Sequence, residues 1–200
     1  MLRKISRRLF FNLRYLGRPP WDSGVSPPEL IRFLEGAVPG RALDVGCGTG
    51  TNLLTMAAYG WEVAGVDLAW LPILRARKRL TRAGVRARVV RGDVAGQMDL
   101  GATFDLVLDM GCYHSLGSAD REAYRSNLAV WLKPGGVYLL YAHRQASPVD
   151  SHGVSEADFA GFLSALSLVW RQDSDELRPD GSLGHPATWA QFVKGAQRSL

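Results

Sequence analysis

The segment Asp44-Val45-Gly46-Cys47-Gly48-Thr49-Gly50 sets three glycines at alternate positions directly after a short apolar run. Glycines in that place let backbone approach a ligand closely, where a side chain would collide. The spacing is Gly-x-Gly-x-Gly, not the Gly-x-Gly-x-x-Gly that lays a pyrophosphate over a helix N-terminus. A ligand without a phosphate at this point is therefore expected, with Asp44 placed to support the turn or to meet an ammonium group. Asp67 ends a second apolar run, with Leu68 beside it. A carboxylate there can accept hydrogen bonds from both hydroxyls of a ribose, although nucleotide dehydrogenases use the same position and a helix cap reads equally well. In Arg91-Gly92-Asp93-Val94, Asp93 can accept from an adenine amino group while the Val94 N–H meets the ring. A plain turn aspartate is the alternative. Asp109 closes a fourth run and leads into Met110-Gly111-Cys112-Tyr113-His114-Ser115-Leu116. Loops at the carboxyl ends of parallel strands line the crevice of such sheets, so this loop is expected to face the reacting group. Tyr113 and His114 are its candidates to orient or deprotonate an acceptor, with packing as the competing role. Cys112 suits packing, having no visible activating partner. His143, His152 and His185 show no metal-ligand spacing, and no metal is expected.

These residues need elements to hold them. Arg18-Pro19-Pro20-Trp21-Asp22-Ser23-Gly24 breaks an N-terminal helix. Ser26-Pro27-Pro28-Glu29 then reads as a capping box opening a helix that ends at Pro39-Gly40. Strands are expected over 42–45, 61–66, 87–90, 104–108 and 137–142. Helices are expected after the glycine turn, over 71–83 and over 119–132. Such alternation implies right-handed crossovers and a mostly parallel sheet covered on both faces. The last quarter reads as a helix over 155–166, a strand over 167–172, a polar loop over 173–185 and a strand over 188–194. Two strands joined by one loop fit an antiparallel edge pair.

Length and composition suit one soluble domain, with no apolar run near the ~20 residues of a membrane span. Two cysteines build no disulfide framework, so a reducing, cytoplasmic setting is expected. The net charge is +5. Six basic residues and no acidic ones fall in residues 1–18, leaving 18 basic against 19 acidic side chains in the rest. The body is accordingly expected to lack a basic face, and no nucleic-acid partner is expected. Within the arm Leu2, Ile5, Leu9, Leu13 and Leu16 recur at helical spacing with arginines on other faces, a basic amphipathic helix. Three readings stay open: a lid over the site, a solvated helix, or a contact with an anionic membrane surface or another acidic partner.

Asp44 to Gly50, the acid at Asp67, Asp93, the Asp109 loop and Leu132-Lys133-Pro134-Gly135-Gly136 together resemble the class I S-adenosylmethionine-dependent methyltransferases, over most of residues 30–200. The resemblance implies a Rossmann-like α/β fold with seven strands, mostly parallel, and an antiparallel last strand. It implies S-adenosylmethionine as cofactor, held by Asp44, Gly46, Gly48, Asp67, Leu68, Asp93, Val94 and Asp109. More narrowly, Pro20-Trp21-Asp22-x-Gly24 and Asp109-x-Gly111-Cys112-Tyr113-His114 resemble the thiopurine, thiol/halide and tellurite-resistance methyltransferases. In that group a tryptophan of the N-terminal segment contacts the cofactor, a role that falls to Trp21 by position. The expectation is an arm or lid over 1–26 and a methyltransferase domain over 27–200, monomeric or dimeric, acting on a small molecule such as a thiol or halide. Oxygen and nitrogen acceptors stay open. The rival readings are a methyltransferase acting on a protein or nucleic acid, an NAD(P)-dependent oxidoreductase, and a non-catalytic module that keeps the fold.

Overall fold

Short runs of Ala, Val and Leu bounded by glycine are long enough for a strand and too short for a helix. In the computed structural model, which describes residues 2–145, 153–177 and 183–195, each such run is a strand. Contacts divide the chain into two units, Met1–Met98 and Asp99–Leu200. In the first, β1 (Arg41–Val45), β2 (Glu62–Asp67) and β3 (Ala87–Arg91) run parallel in the order β3-β2-β1. Val45 stands opposite Val66, and Asp67 opposite Arg91, so the three carboxyl ends are level. Helices α1 (Leu2–Arg14), α2 (Pro28–Gly36), α3 (Thr51–Ala58) and α4 (Trp70–Arg82) complete this unit. Leu30, Leu43, Leu53, Met56, Val66 and Ile73 are fully buried in its core.

The second unit orders its strands β4-β5-β7-β6. β4 (Phe104–Met110) pairs in parallel with β5 (Leu132–His143). β7 (Leu183–Lys194) is antiparallel to both β5 and β6 (Leu166–Leu177). Helices α5 (Ser118–Trp131) and α6 (Glu156–Phe162) belong to it. Seven strands, mostly parallel, with one reversed at the end and helices between them make the Rossmann-like fold expected from the alternation. Among the described residues no helix is long and apolar enough to cross a membrane.

Local expectations were met unevenly. The capping box at Ser26 does not form: Pro27 is the N-cap of α2 and no side chain caps it. The Ser26 hydroxyl donates instead to Asn52 Oδ1 at 2.8 Å and bonds Thr55 Oγ1 at 2.8 Å on α3. A capping box does form at α6, between Ser155 and Asp158. The Lys-Pro-Gly-Gly turn is the bulged start of β5, where the register jumps from Phe104 opposite Leu132 to Leu106 opposite Val137. Lys133 there binds Asp105 at 2.7 Å. The helix expected over 155–166 stops at Phe162, and the polar loop shrinks because β6 and β7 extend into it.

Aromatic side chains fill the second core. Phe162 packs its ring against Tyr113, Tyr138 and Phe192 at centroid separations of 4.8, 5.3 and 5.2 Å. Phe162→Ala would leave a cavity with three ring walls and is expected to remove about 3–5 kcal/mol of stability in urea unfolding. Leu163→Ala, at the half-exposed C-cap of the same helix, should stay within about 0.5 kcal/mol. Equal effects of the two would contradict this packing.

Candidate active site

The level carboxyl ends of β1, β2 and β3 bring together Asp44, the glycine turn, Asp67 and the Asp93 segment. Asp67 is buried at the centre. Its Oδ2 accepts from the Gly48 N–H at 3.0 Å and its Oδ1 from the Ala69 N–H at 2.8 Å. One carboxylate thus ties the glycine turn to the start of α4. Burial pushes its carboxyl up to about 6, against the backbone hydrogen bonds that favour the charged form. The Leu68 N–H also hydrogen-bonds this carboxylate, so three backbone donors meet a group with about four acceptor positions, which leaves room for a further donor. The turn itself is fixed by Gly46 and Cys47 N–H groups on the Val66 carbonyl, at 2.8 and 3.0 Å. Asp44 is buried at the end of β1. Asp93 accepts from the Ala95 N–H at 3.1 Å, an aspartate turn that leaves Val94 buried behind it. Leu68 is half-buried.

Gly48 has φ +51°, and a Cβ there would stand 2.8 Å from the Tyr15 hydroxyl. Tyr15 comes from the N-terminal arm, where no motif or spacing marks it. Its phenol is buried and accepts from Trp21 Nε1 at 3.2 Å. Burial, and next the nearby Asp67 charge, hold this phenol well above the ordinary range. Trp21 meets both Phe11 and Tyr15 edge to face at 6.3 Å. Asn12 caps α4, accepting from Trp70 and Leu71 N–H groups at 3.0 and 3.1 Å. The arm therefore docks on its own unit through Asn12 and Tyr15. The expected apolar stripe does not do this: Leu9 and Leu13 are 59% and 55% exposed. The side chains of Leu2 and Ile5 lie outside the described residues, as does His152.

In the second unit Asp109 is fully buried and spent on its own loop. It accepts from the Cys112 N–H at 2.8 Å, from the Tyr113 N–H at 3.1 Å and from the Tyr124 hydroxyl at 2.7 Å. Its saturated acceptors give it the task of shaping residues 110–115 rather than touching a ligand. Tyr113 is fully buried as well. Its hydroxyl lies 3.0 Å from Asp158 Oδ1 and accepts from Arg125 at 2.6 Å. Burial, followed by the Asp158 charge, raises it well above the usual phenol range. That placement makes Tyr113 a pillar of the loop and argues against a role as base. Arg121, also absent from the sequence reading, clasps the same loop. It donates to the carbonyls of Leu116 at 3.0 Å and Gly153 at 2.7 Å, and to Asp158 at 2.7 Å.

His114 is half-buried and differently disposed. Its Nδ1 accepts from the backbone N–H of His143 at 3.0 Å, and the two imidazoles stack at 4.4 Å with 7° between planes. A nitrogen that accepts carries no proton, so neutral His114 keeps its hydrogen on Nε2. Gly111 makes room for the ring: its φ is +89°, and a Cβ would approach His114 Cε1 to 3.3 Å.

The expected absence of a basic face is overturned. Near-neutrality of residues 19–200 conceals ten basic and seven acidic side chains over 19–98 against eight and twelve over 99–200. In the first unit Arg18, Arg75, Lys78, Arg79 and Arg82 line one cavity.

Comparison with known proteins points one way. Residues 42–136 match a methyltransferase domain family. The chain is 29% identical over 159 residues to the 2-heptyl-1-hydroxyquinolin-4(1H)-one methyltransferase of Mycobacteroides abscessus, covering 78% of this chain and 70% of that protein. It is 27% identical to probable thiol methyltransferase 2 of Arabidopsis thaliana, covering 76% of this chain and 70% of that protein. A solved structure described as the conversion of a disulfide bond into a thioacetal group during echinomycin biosynthesis superposes with a TM-score of 0.76 at 25% identity. It spans 94% of this chain and 93% of that one.

Burial pushes the Asp109 carboxyl up to about 6, against hydrogen bonds from Tyr124, Tyr113 and Cys112. A raised value means the folded chain holds this proton where the unfolded chain has released it. Asp109 therefore contributes less stability as pH rises from about 4 to 6. Urea unfolding of wild type and Asp109→Asn should show their stability difference moving against wild type by up to about 3 kcal/mol between pH 4 and 7. A difference independent of pH would show that the carboxyl titrates at its ordinary value.

Proposed function

Since the chain is an S-adenosylmethionine-dependent methyltransferase, we propose that its acceptor is a small molecule whose nucleophile is soft or already ionised near neutrality, such as a thiol. The observation that carries this reading is the state of the Asp109 loop. Tyr113 is buried and hydrogen-bonded, and His114 spends Nδ1 on the His143 N–H, which places its hydrogen on Nε2. The loop thereby offers a donor that orients an acceptor, and no group poised to take a proton from one. Thiolates and similar nucleophiles need no such base. The names of the thiol and hydroxyquinolone enzymes among the relatives support the same class. A protein or nucleic-acid acceptor and a nicotinamide oxidoreductase are not favoured.

The residues fit the cofactor. Gly46 and Gly48, both at positive φ, keep the turn free of side chains, and the carboxylate at its edge is buried and ionisable. When bound, S-adenosylmethionine supplies a methyl group already activated by its sulfonium. Asp67 would receive the ribose hydroxyls, Asp44 the ammonium end, and Asp93 with Val94 the adenine. Gly46 and Gly48 give close backbone. Tyr15 and Trp21 would close the arm over this turn and keep water out, so that residues 1–26 act as a lid. His114 orients the acceptor through Nε2–H, and Arg121 with Asp109 fixes the loop that presents it. The small-molecule scale of these contacts leaves positioning as the main contribution of the protein.

Purified protein given labelled S-adenosylmethionine and a panel of thiols, halides, N-hydroxy compounds, phenols and amines is expected to turn over the first group fastest. Its pH–rate profile should follow the acceptor's own ionisation. Glutamine keeps an N–H near the Nε2 position, so His114→Gln should retain activity within about threefold. His114→Ala should lose about tenfold, the worth of one hydrogen bond to a reacting group. Equal damage in both variants, with a limb near neutrality for every acceptor, would make His114 a base and overturn this reading.

A further inference from the structure

The helix α4 carries Arg75, Lys78, Arg79 and Arg82 at spacings that place them along one face. Arg18, at the exit of the arm, joins them, and Asp22, Gly24 and Thr49 complete the lining of a cavity of about 420 Å³. Neither the cofactor turn's Gly46 and Gly48 nor Asp67 or Asp93 lines this cavity, so it is a separate feature of the same unit.

Its electrostatics are unbalanced. Five cationic side chains face one carboxylate, and Asp22 spends Oδ1 accepting the Thr49 hydroxyl at 2.8 Å. Among the described residues none of the five lies within ion-pair distance of an acid, although all five line one cavity. Three of the five are held in place rather than loose in solvent. Arg18 is pinned through Nε and Nη2 to the carbonyls of Asp22 and Ser23. Arg75 Nη1 donates to the Gly17 carbonyl at 3.2 Å. Arg79 Nη1 bonds the Thr49 carbonyl at 3.1 Å and the Thr49 and Thr51 hydroxyls at 3.0 Å each. Carbonyls and hydroxyls hold three guanidinium groups in place without neutralising them. The Nε and Nη2 groups of Arg79, and the whole charged heads of Lys78 and Arg82, have no protein acceptor among the described residues.

From this geometry we infer that the cavity is a phosphate-recognition site, taking the phosphoryl group of a small metabolite or of a lipid head group. Oriented guanidinium forks match the several oxygens and multiple charge of a phosphoryl group better than a single carboxylate. A cluster of like charges without counter-ions is relieved by such a ligand and would concentrate it from solution. The volume exceeds one phosphate ion and lies within the range of small-molecule sites. Arg79 connects the cavity to Thr49 of the glycine turn, so an occupant bears on the segment that precedes α3.

Inorganic pyrophosphate, titrated calorimetrically into the full chain at low salt, is the probe for a free ligand. Sedimentation with phosphatidylglycerol vesicles, against phosphatidylcholine vesicles, is the probe for a head group. Lys78→Ala/Arg82→Ala removes two exposed charges that hold nothing else, so thermal stability and S-adenosylhomocysteine affinity should stay unchanged. Pyrophosphate should bind, weaken with added sodium chloride and lose at least tenfold in affinity in the double variant. Sedimentation with phosphatidylglycerol alone, abolished by the same double variant, would support the site with a lipid as its source. Absence of both kinds of binding, or binding that the double variant leaves intact, would overturn the assignment.

Discussion

The carboxylate of Asp67 organises the first unit. Its two oxygens gather the N–H groups of Gly48 and Ala69, one from the turn after β1 and one from the entry to α4. Burying an ionised carboxylate is costly unless hydrogen bonds compensate it, and here backbone donors supply that compensation. The expense remains visible in a carboxyl raised to about 6. Because the donors are backbone, substitution of their own side chains cannot remove them. The same charge raises the Tyr15 phenol, whose hydroxyl lies against Gly48 of the turn.

The second unit repeats the device with a different outcome. Asp109 also stands at the carboxyl end of a strand and also gathers the N–H groups of the segment that follows, Cys112 and Tyr113. The Tyr124 hydroxyl then takes a further place on it. One carboxylate thus keeps capacity for a ligand, while the other is saturated and works through the loop it shapes. Arg121 and Asp158 fasten that loop from outside, and His143 sets the tautomer of His114 through a backbone N–H. The tautomer of His114 therefore depends on a main-chain group that no side-chain substitution at His143 deletes.

Most elements were legible because the apolar runs are short, bounded by glycine and separated by helix-length segments. The residues at their carboxyl ends were legible for the same reason: strand ends in register place Asp44, Asp67 and Asp93 level. What sequence hid were choices made between segments far apart. Ser26 reads locally as a cap, yet its hydroxyl finds Asn52 and Thr55 on another helix. The leucine stripe of the arm is its strongest periodic signal, yet the docking residues are Asn12 and Tyr15, whose polar atoms cap α4 and meet Trp21. Arg121 and Asp158 are 37 positions apart, a separation that no spacing rule connects. The total charge concealed the basic cavity, since a sum carries no information about where opposite charges lie.

The central claim is that an ionised Asp67, held by backbone donors, is what binds the cofactor. Calorimetric titration of S-adenosylhomocysteine between pH 5 and 8 tests it most directly. With the carboxyl at about 6 in the unbound chain, affinity should be constant above that value and fall by up to about tenfold per pH unit below it, one proton being displaced on binding. Asp67→Asn should bind more weakly at neutral pH and show no such fall. A wild-type affinity that stays level down to pH 5, or a fall that persists in Asp67→Asn, would contradict the account.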